Sequence, residues 1–223
     1  PKVSNFIPDA GVWMNTQRPE WNDANNALVG NGVSVVTLCY LHRFLKRAIA
    51  LLATIESDQV MLSCSVAQLL NNLHQVLLQH KAAITSGPVS PRVREAVMAG
   101  LGSAAELYRE DLYASGFSGE KQLVSLATIS NFLGLSLESS AVSIASNRRE
   151  DGLFHAYNRI SWTDSGVEIR YLYEMLEGQV AVLSAEVLSA EEALYVLQTL
   201  RRSALYTARQ HSYLLYPNRR LPA

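Results

Sequence analysis

The stretch Arg18-Pro-Glu-Trp-Asn-Asp-Ala-Asn-Asn-Ala-Leu-Val-Gly-Asn-Gly32 gathers more chemically capable side chains than any other part of the sequence. Glu20, Trp21, Asn22, Asp23, Asn25 and Asn26 crowd together just ahead of a periodic apolar run. Carbohydrate sites are built from such groups. A flat aromatic surface takes the apolar face of the sugar, amides and carboxylates bind its hydroxyls, and a carboxylic acid protonates the leaving oxygen. Trp13, Trp21, Asn22, Asn25 and Asn26 meet the first two needs, and Asp23 or Glu20 meets the third. A plainer reading uses the same residues. Asp23 or Asn25 accepts hydrogen bonds from the free N–H groups of a helix start, while Trp21 packs as a staple. Both readings stay open at this level. An acid at a helix N-terminus has its anion favoured by the dipole, whereas a general acid must keep its proton. Burial or a neighbouring carboxylate would have to outweigh the dipole.

A second set of polar and aromatic residues, His155, Tyr157 and Trp162, lies in a stretch without helical periodicity, where binding residues tend to concentrate. A structural histidine fits the same pattern. Other chemistries find no support. There is no His-Glu-x-x-His, no Cys-x-x-Cys and no phosphate-binding loop with Lys-Ser/Thr. Gly100-Leu-Gly102 falls inside a predicted helix with no strand before it. His74 and His80 are not spaced to put two metal ligands on one helix face. No metal or cofactor is expected.

Lys and Arg number 19 against 20 for Asp and Glu, so neither a nucleic-acid partner nor a cation-collecting acidic tail is expected. Hydrophobic residues make up 48% of the chain, enough for a core, while only 17% are charged. That is below the roughly 25% of an ordinary globular surface, so part of the surface is expected to be neutral or covered by something else. Cys39 and Cys64 sit among apolar neighbours and read as small core hydrophobes, with a disulfide between them the lesser alternative. The compartment stays open, with the cytoplasm favoured. Apolar runs such as Ala48 to Ile55 are far short of the ~20 residues of a membrane span, so no membrane partner is expected.

The elements that must position these residues read as helices. Residues 1–25 hold three of the seven prolines and form a loop-rich start. From Asn26, apolar pairs recur every four positions through Leu52, predicting one long amphipathic helix. A second helix is expected after Ser57. A third opens at Ser90-Pro91 and closes at Ser115-Gly116. A fourth is capped by Ser118 and runs to about Ser146. Residues 147–170 break the pattern, with a turn at Asn147 to Gly152 and a short extended piece from Leu153 to Trp162. Helical spacing returns over 171–184, and Ser189-Ala-Glu-Glu192 is a capping box. About six helices in antiparallel hairpins are thus expected: 26–146 as hairpins, 147–170 irregular, 171–223 as closing helices and tail. The chain reads as one all-α domain, and its ends, without an initiator Met, as a piece of something longer.

Trp21-Asn22-Asp23 followed by small residues and Gly30 is similar to the Asp-Trp-Asn-Asp-Gly motif of cellobiose-phosphorylase-type enzymes. Comparable segments occur in related α/α-toroid glycoside hydrolases of the glucosidase and debranching types. Here Pro19-Glu20 stands in place of the family's Gly-Asp, and Ala24-Asn25-Asn26 in place of its Gly-Met-Asn. The resemblance implies an (α/α)6 toroid or part of one, with Asp23 as general acid and Trp21 and Asn22 flanking the sugar. The segments Tyr171 to Gln179 and Leu183 to Ala193 resemble the late helices of such toroids, which implies Glu177, or else Glu174, as the opposing base. A solvated glutamate face is the plainer reading of these two. The expected activity is inverting hydrolysis or phosphorolysis of a glycosidic bond in an oligo- or disaccharide, with Glu20, Asn25, Asn26, His155 and Tyr157 beside the substrate. A toroid of this kind has twelve helices, so the missing part of the barrel or a second copy is an expected partner. The rival expectation is a non-catalytic helical scaffold or protein-interaction module.

Overall fold

A computed structural model describes residues 2–14, 28 and 30–218. After a 3-10 turn at Val3–Asn5, three short strands, β1 (Phe6–Ile7), β2 (Gly11–Trp13) and β3 (Gly32–Ser34), lead into helix α1 (Val35–Leu52). Strand β4 (Gln59–Ser63) leads into α2 (Cys64–Gln79), followed by the single turn α3 (Lys81–Ile84) and the long α4 (Pro91–Ser115). Strand β5 (Lys121–Ser125) then leads into α5 (Leu126–Ala145). Strands β6 (Tyr157–Thr163) and β7 (Gly166–Tyr171), helices α6 (Leu176–Ser184) and α7 (Ala190–Arg202), and the small ribbon β8 (Tyr206–Thr207) and β9 (Ser212–Tyr213) complete the chain.

The fold is therefore α+β, which corrects the all-α expectation and, with it, the (α/α)6 toroid. Five antiparallel strands form one curled sheet in the order β1-β2-β3-β6-β7, and β4 pairs with β5 in a separate ribbon. The sheet register joins distant parts of the sequence: Val12 lies opposite Ser34, Val33 opposite Asn158, and Ile160 opposite Ile169.

One local device recurs. A strand ends on a serine whose side chain caps the helix that follows directly. Ser34 Oγ accepts from the Thr37 N–H at 2.9 Å, Ser63 Oγ from Val66 at 3.4 Å, and Ser125 Oγ from Ala127 at 3.1 Å. Each serine has extended backbone angles, so it closes the strand and opens the helix at one residue. The expected helix from 26 to 52 accordingly begins only at Val35. The expected starts after Ser57 and at Ser118 move to Ser63 and Ser125. The predicted Ser90-Pro91 start and the Ser189 capping box are both present.

The main core lies between α1, α2, α4 and α5 and holds Leu38, Cys39, Leu77, Val97, Leu101 and Ile144. A smaller cluster of Ile7, Ala10, Val33, Ile160 and Val167 sits against the sheet. Both cysteines are free thiols, and burial pushes the Cys39 thiol up to about 12. At the turn between β6 and β7, Gly166 has φ +117° and lies so close to α4 that an added Cβ would stand 2.5 Å from the Pro91 carbonyl. No helix among the described residues is long and apolar enough to cross a membrane.

Sheet and helices are joined by buried polar groups rather than by apolar packing alone. Arg94, on α4, donates to the carbonyls of Pro8 at 2.9 Å, Val167 at 2.8 Å and Val89 at 2.7 Å, and pairs with Asp9 at 3.2 Å. Asp9 in turn accepts from the Val89 N–H and the Ser146 hydroxyl, and its own N–H donates to Ser143 Oγ. Asn147 donates to the Asp9 and Ser143 carbonyls, and Asn158 donates to Ala10 O and to Asn147 Oδ1. Burying such groups is costly unless each is matched, and here most of them are.

Candidate functional site

The chain leaves α5 at Ala145 and makes a tight turn over Arg148–Phe154, where Arg148 and Phe154 form an isolated bridge. The Arg149 N–H donates to Leu153 O at 2.8 Å, and the Asp151 carboxylate accepts from the Leu153 N–H at 3.0 Å. Asp151 thus closes the turn as an Asx residue. Its carboxylate also takes both Nε, at 3.1 Å, and an Nη, at 2.9 Å, of Arg149. The same guanidinium reaches Glu174 at 3.2 Å. Burial raises the Asp151 carboxyl, but the hydrogen bonds from Arg149 and Leu153 and the charge of Arg149 outweigh it and hold the group below its usual range.

His155 follows this turn. Its Nδ1 lies 2.7 Å from the Leu172 carbonyl, and only an N–H can serve that acceptor. Its ring stacks on Tyr171 with centroids 4.6 Å apart and planes 22° from parallel. Burial lowers the His155 pKa, and the neighbouring Arg149 charge adds to this, against the opposing pull of Leu172 O, Asp151 and Glu174. At neutral pH the ring is uncharged, with its proton on Nδ1 and a lone pair on Nε2. His155, Tyr171, Arg149 and Asp151 line one polar cleft of about 510 Å³.

The segment that carries the two candidate glutamates is fastened to this turn. Gln179, fully buried on α6, accepts from the Phe154 N–H at 2.9 Å and donates to the Phe154 carbonyl at 2.8 Å. Gly178 lets α6 approach so closely that an added Cβ would lie 3.1 Å from Ala156. Glu177, in the first turn of α6, accepts the Tyr157 hydroxyl at 2.8 Å. Glu174 and Glu177 are therefore engaged separately, one with Arg149 and the other with Tyr157.

Of the residues singled out from the sequence, the structure brings His155 and Glu174 together around Arg149, with Tyr157 and Glu177 paired beside them in sequence. Trp13 belongs elsewhere. It lies on β2, donates its indole N–H to Gly30 O at 3.0 Å and meets Trp162 edge-on at 6.3 Å. Glu20, Trp21, Asn22, Asp23, Asn25 and Asn26 lie outside the described residues. Met14 and Gly30, which bracket them, are joined by a backbone hydrogen bond of 2.8 Å. Arg149, Asp151 and Tyr171 were missed. Their signal was present as an arginine with an acid two positions on inside a turn, which reads as turn chemistry alone. No three or more of the His, Cys, Asp and Glu among the described residues come together as a metal site would need.

No protein-family model matches the chain, and no curated protein matches it in sequence.

Proposed function

We propose that the chain is a carbohydrate-binding domain whose ligand sits in the cleft lined by His155, Tyr171, Arg149 and Asp151. The observation that carries this reading is the His155 ring, stacked on Tyr171 and held by Leu172 O, beside the Arg149–Asp151 pair. A sugar ring needs a flat apolar surface and donors and acceptors set at its rim, and this cleft offers both. Its volume of about 510 Å³ lies within the range of small-ligand sites. Glu174 and Glu177 are held by different partners, Arg149 and Tyr157, which supports binding of the ring rather than a paired acid and base. Calorimetry with a panel of mono- and disaccharides tests it. Wild type should bind at least one sugar, with affinity reduced about tenfold or more in His155→Ala and Tyr171→Ala. A wild type that binds no sugar, or variants that bind as well as it does, would overturn the reading.

A second reading, the protein-interaction module, is favoured by a separate observation. An apolar groove of about 600 Å³ opens between α1 and α2.

A further inference from the structure

Two guanidinium groups line the polar cleft, Arg148 and Arg149, and both are already matched. Arg149 is held by Asp151 through Nε and an Nη, and it reaches Glu174 at 3.2 Å. Arg148 pairs with Glu192 at 3.2 Å and lies over the rings of Phe154 and Tyr195. Glu150 also lines the cleft, and it forms no ion pair among the described residues. The carboxylates of Glu150, Asp151, Glu174 and Glu192 thus stand against two cations, so the surplus charge here is negative. Neighbouring charges leave that balance in place. Arg159 and Arg170 lie opposite each other in register, and strand alternation sets Arg170 on the face away from Tyr171. The Arg94–Asp9 pair, whose charges are felt at Tyr171, cancels within itself.

The uncharged groups of the cleft favour the same kind of ligand. His155 gives its Nδ1 proton to Leu172 O, which leaves Nε2 as an acceptor without a partner among the described residues. The Ser146 hydroxyl is turned inward, towards Asp9 Oδ1 and Val142 O. Tyr171 is 50% exposed, and the face of an aromatic ring attracts a cation. An unpaired carboxylate, an imidazole lone pair and an aromatic ring together suit a positive charge. A phosphorylated or acidic sugar would instead meet the surplus carboxylates with like charge.

Resting on the sugar-binding reading, we infer that the ligand of this cleft is an amino sugar, with its ammonium group set against Glu150 and His155 Nε2 and its ring beside Tyr171. Acetylation of the amine removes the charge that meets Glu150, so the N-acetyl form loses the advantage. Glu150 is exposed, and an ion pair at such a position contributes up to about fivefold in affinity. Salt screens a contact of this kind.

Calorimetry on matched ligands tests this, with glucosamine, galactosamine and mannosamine each measured beside its parent hexose and its N-acetyl form. At least one amino sugar should bind about fivefold tighter than both of its relatives, and the advantage should shrink as salt rises. In Glu150→Gln, with the thermal melt checked alongside, the advantage should fall below about twofold. Glu138→Gln, at a carboxylate that lines a different cleft, should keep it. If the amino sugars bind no better than their parent hexoses, the charge assignment is overturned and the sugar-binding reading stands. An advantage that survives in Glu150→Gln overturns it equally. If none of these compounds binds, both fall. If cyclohexylamine, which carries the charge without the hydroxyls, binds as tightly as the amino sugar, the ligand is an organic cation and the sugar reading falls with the inference.

Discussion

In Arg94→Met the side chain keeps its length and apolar stem but loses every donor it offers to the sheet. Three carbonyls, those of Pro8, Val89 and Val167, and one oxygen of Asp9 lose a partner together. The side chains of Arg94 and Asp9 are 8% and 5% exposed, so water cannot replace the guanidinium without opening the structure. Removing one member of a buried pair costs about 3–5 kcal/mol, because the surviving charge is left uncompensated. Each orphaned carbonyl would add about 1–3 kcal/mol if isolated, though a shared site makes these costs less than additive. A loss of about 4 kcal/mol is expected. For a chain of this size that lowers Tm by roughly 8–16 °C. The assay is thermal and urea unfolding followed by circular dichroism, with Arg92→Met as control. Arg92 donates at the surface to Asp164 O, and its loss should change stability by less than about 0.5 kcal/mol. The double variant Arg94→Met/Asp9→Asn should be less unstable than the sum of the singles, since it removes the stranded charge. If Arg94→Met costs under about 1 kcal/mol, Arg94 does not join α4 to the sheet and the placement of β1 and β7 against that helix is wrong.

The remaining predictions concern protons, thiols and backbone. Burial lowers the pKa of His42, helped by Lys46 and opposed by Leu137 O, and burial likewise leads the lowering at His155. An unfolded histidine titrates near 6.5, so as pH falls below that value the unfolded state takes up protons before the folded one does. This stability is present above the unfolded value and should fall as pH drops through about 6.5 towards 5.5. A Tm flat across that window, or a slope unchanged in His42→Gln, would contradict this. For the thiols, Ellman's reagent on the folded protein should modify the half-buried Cys64 and spare Cys39, whose thiol is pushed up to about 12 by burial. Both should react in guanidinium chloride, and peptide mapping identifies which is labelled. Gly166→Val forces a side chain into a left-handed backbone and against the Pro91 carbonyl, so a loss of about 2 kcal/mol or more is expected in urea titrations. An unaltered midpoint would show that the β6–β7 turn does not rest on the start of α4.

Helix starts were readable wherever the signal was local and complete. Ser90-Pro91 and Ser189 to Glu192 announce themselves within four residues, and the structure uses both. The strands hid for a physical reason. Each of β3, β4 and β5 runs into its helix without a turn between them, so the apolar rhythm of the helix extends back over the strand. Val60, Met61 and Leu62 are consecutive apolar residues, which suits a helix as well as a ribbon. Only pairing with Lys121–Ser125, far along the chain, selects the strand. Strand β7 escapes the reading although Val167-Glu168-Ile169 alternates as a strand does, because the run is short and only its pairing with β6 marks it.

The site was legible in its residues and not in its wiring. His155 is picked out for lying in an irregular stretch and Glu174 by the resemblance to toroid helices, yet the group that connects them is Arg149, hidden in a run that reads as a turn. Asp151 serves two ends at once: it closes that turn through Leu153 N and fixes the guanidinium that Glu174 then shares. Removing Asp151 would therefore loosen the turn and free Arg149 to swing, whereas removing Glu174 leaves the bidentate contact in place. Sugar affinity should accordingly fall further in Asp151→Ala than in Glu174→Gln, although the resemblance to glycosidases singled out Glu174 and passed over Asp151. Equal losses would mean that Glu174 touches the ligand itself and that Arg149 is held well enough without the turn.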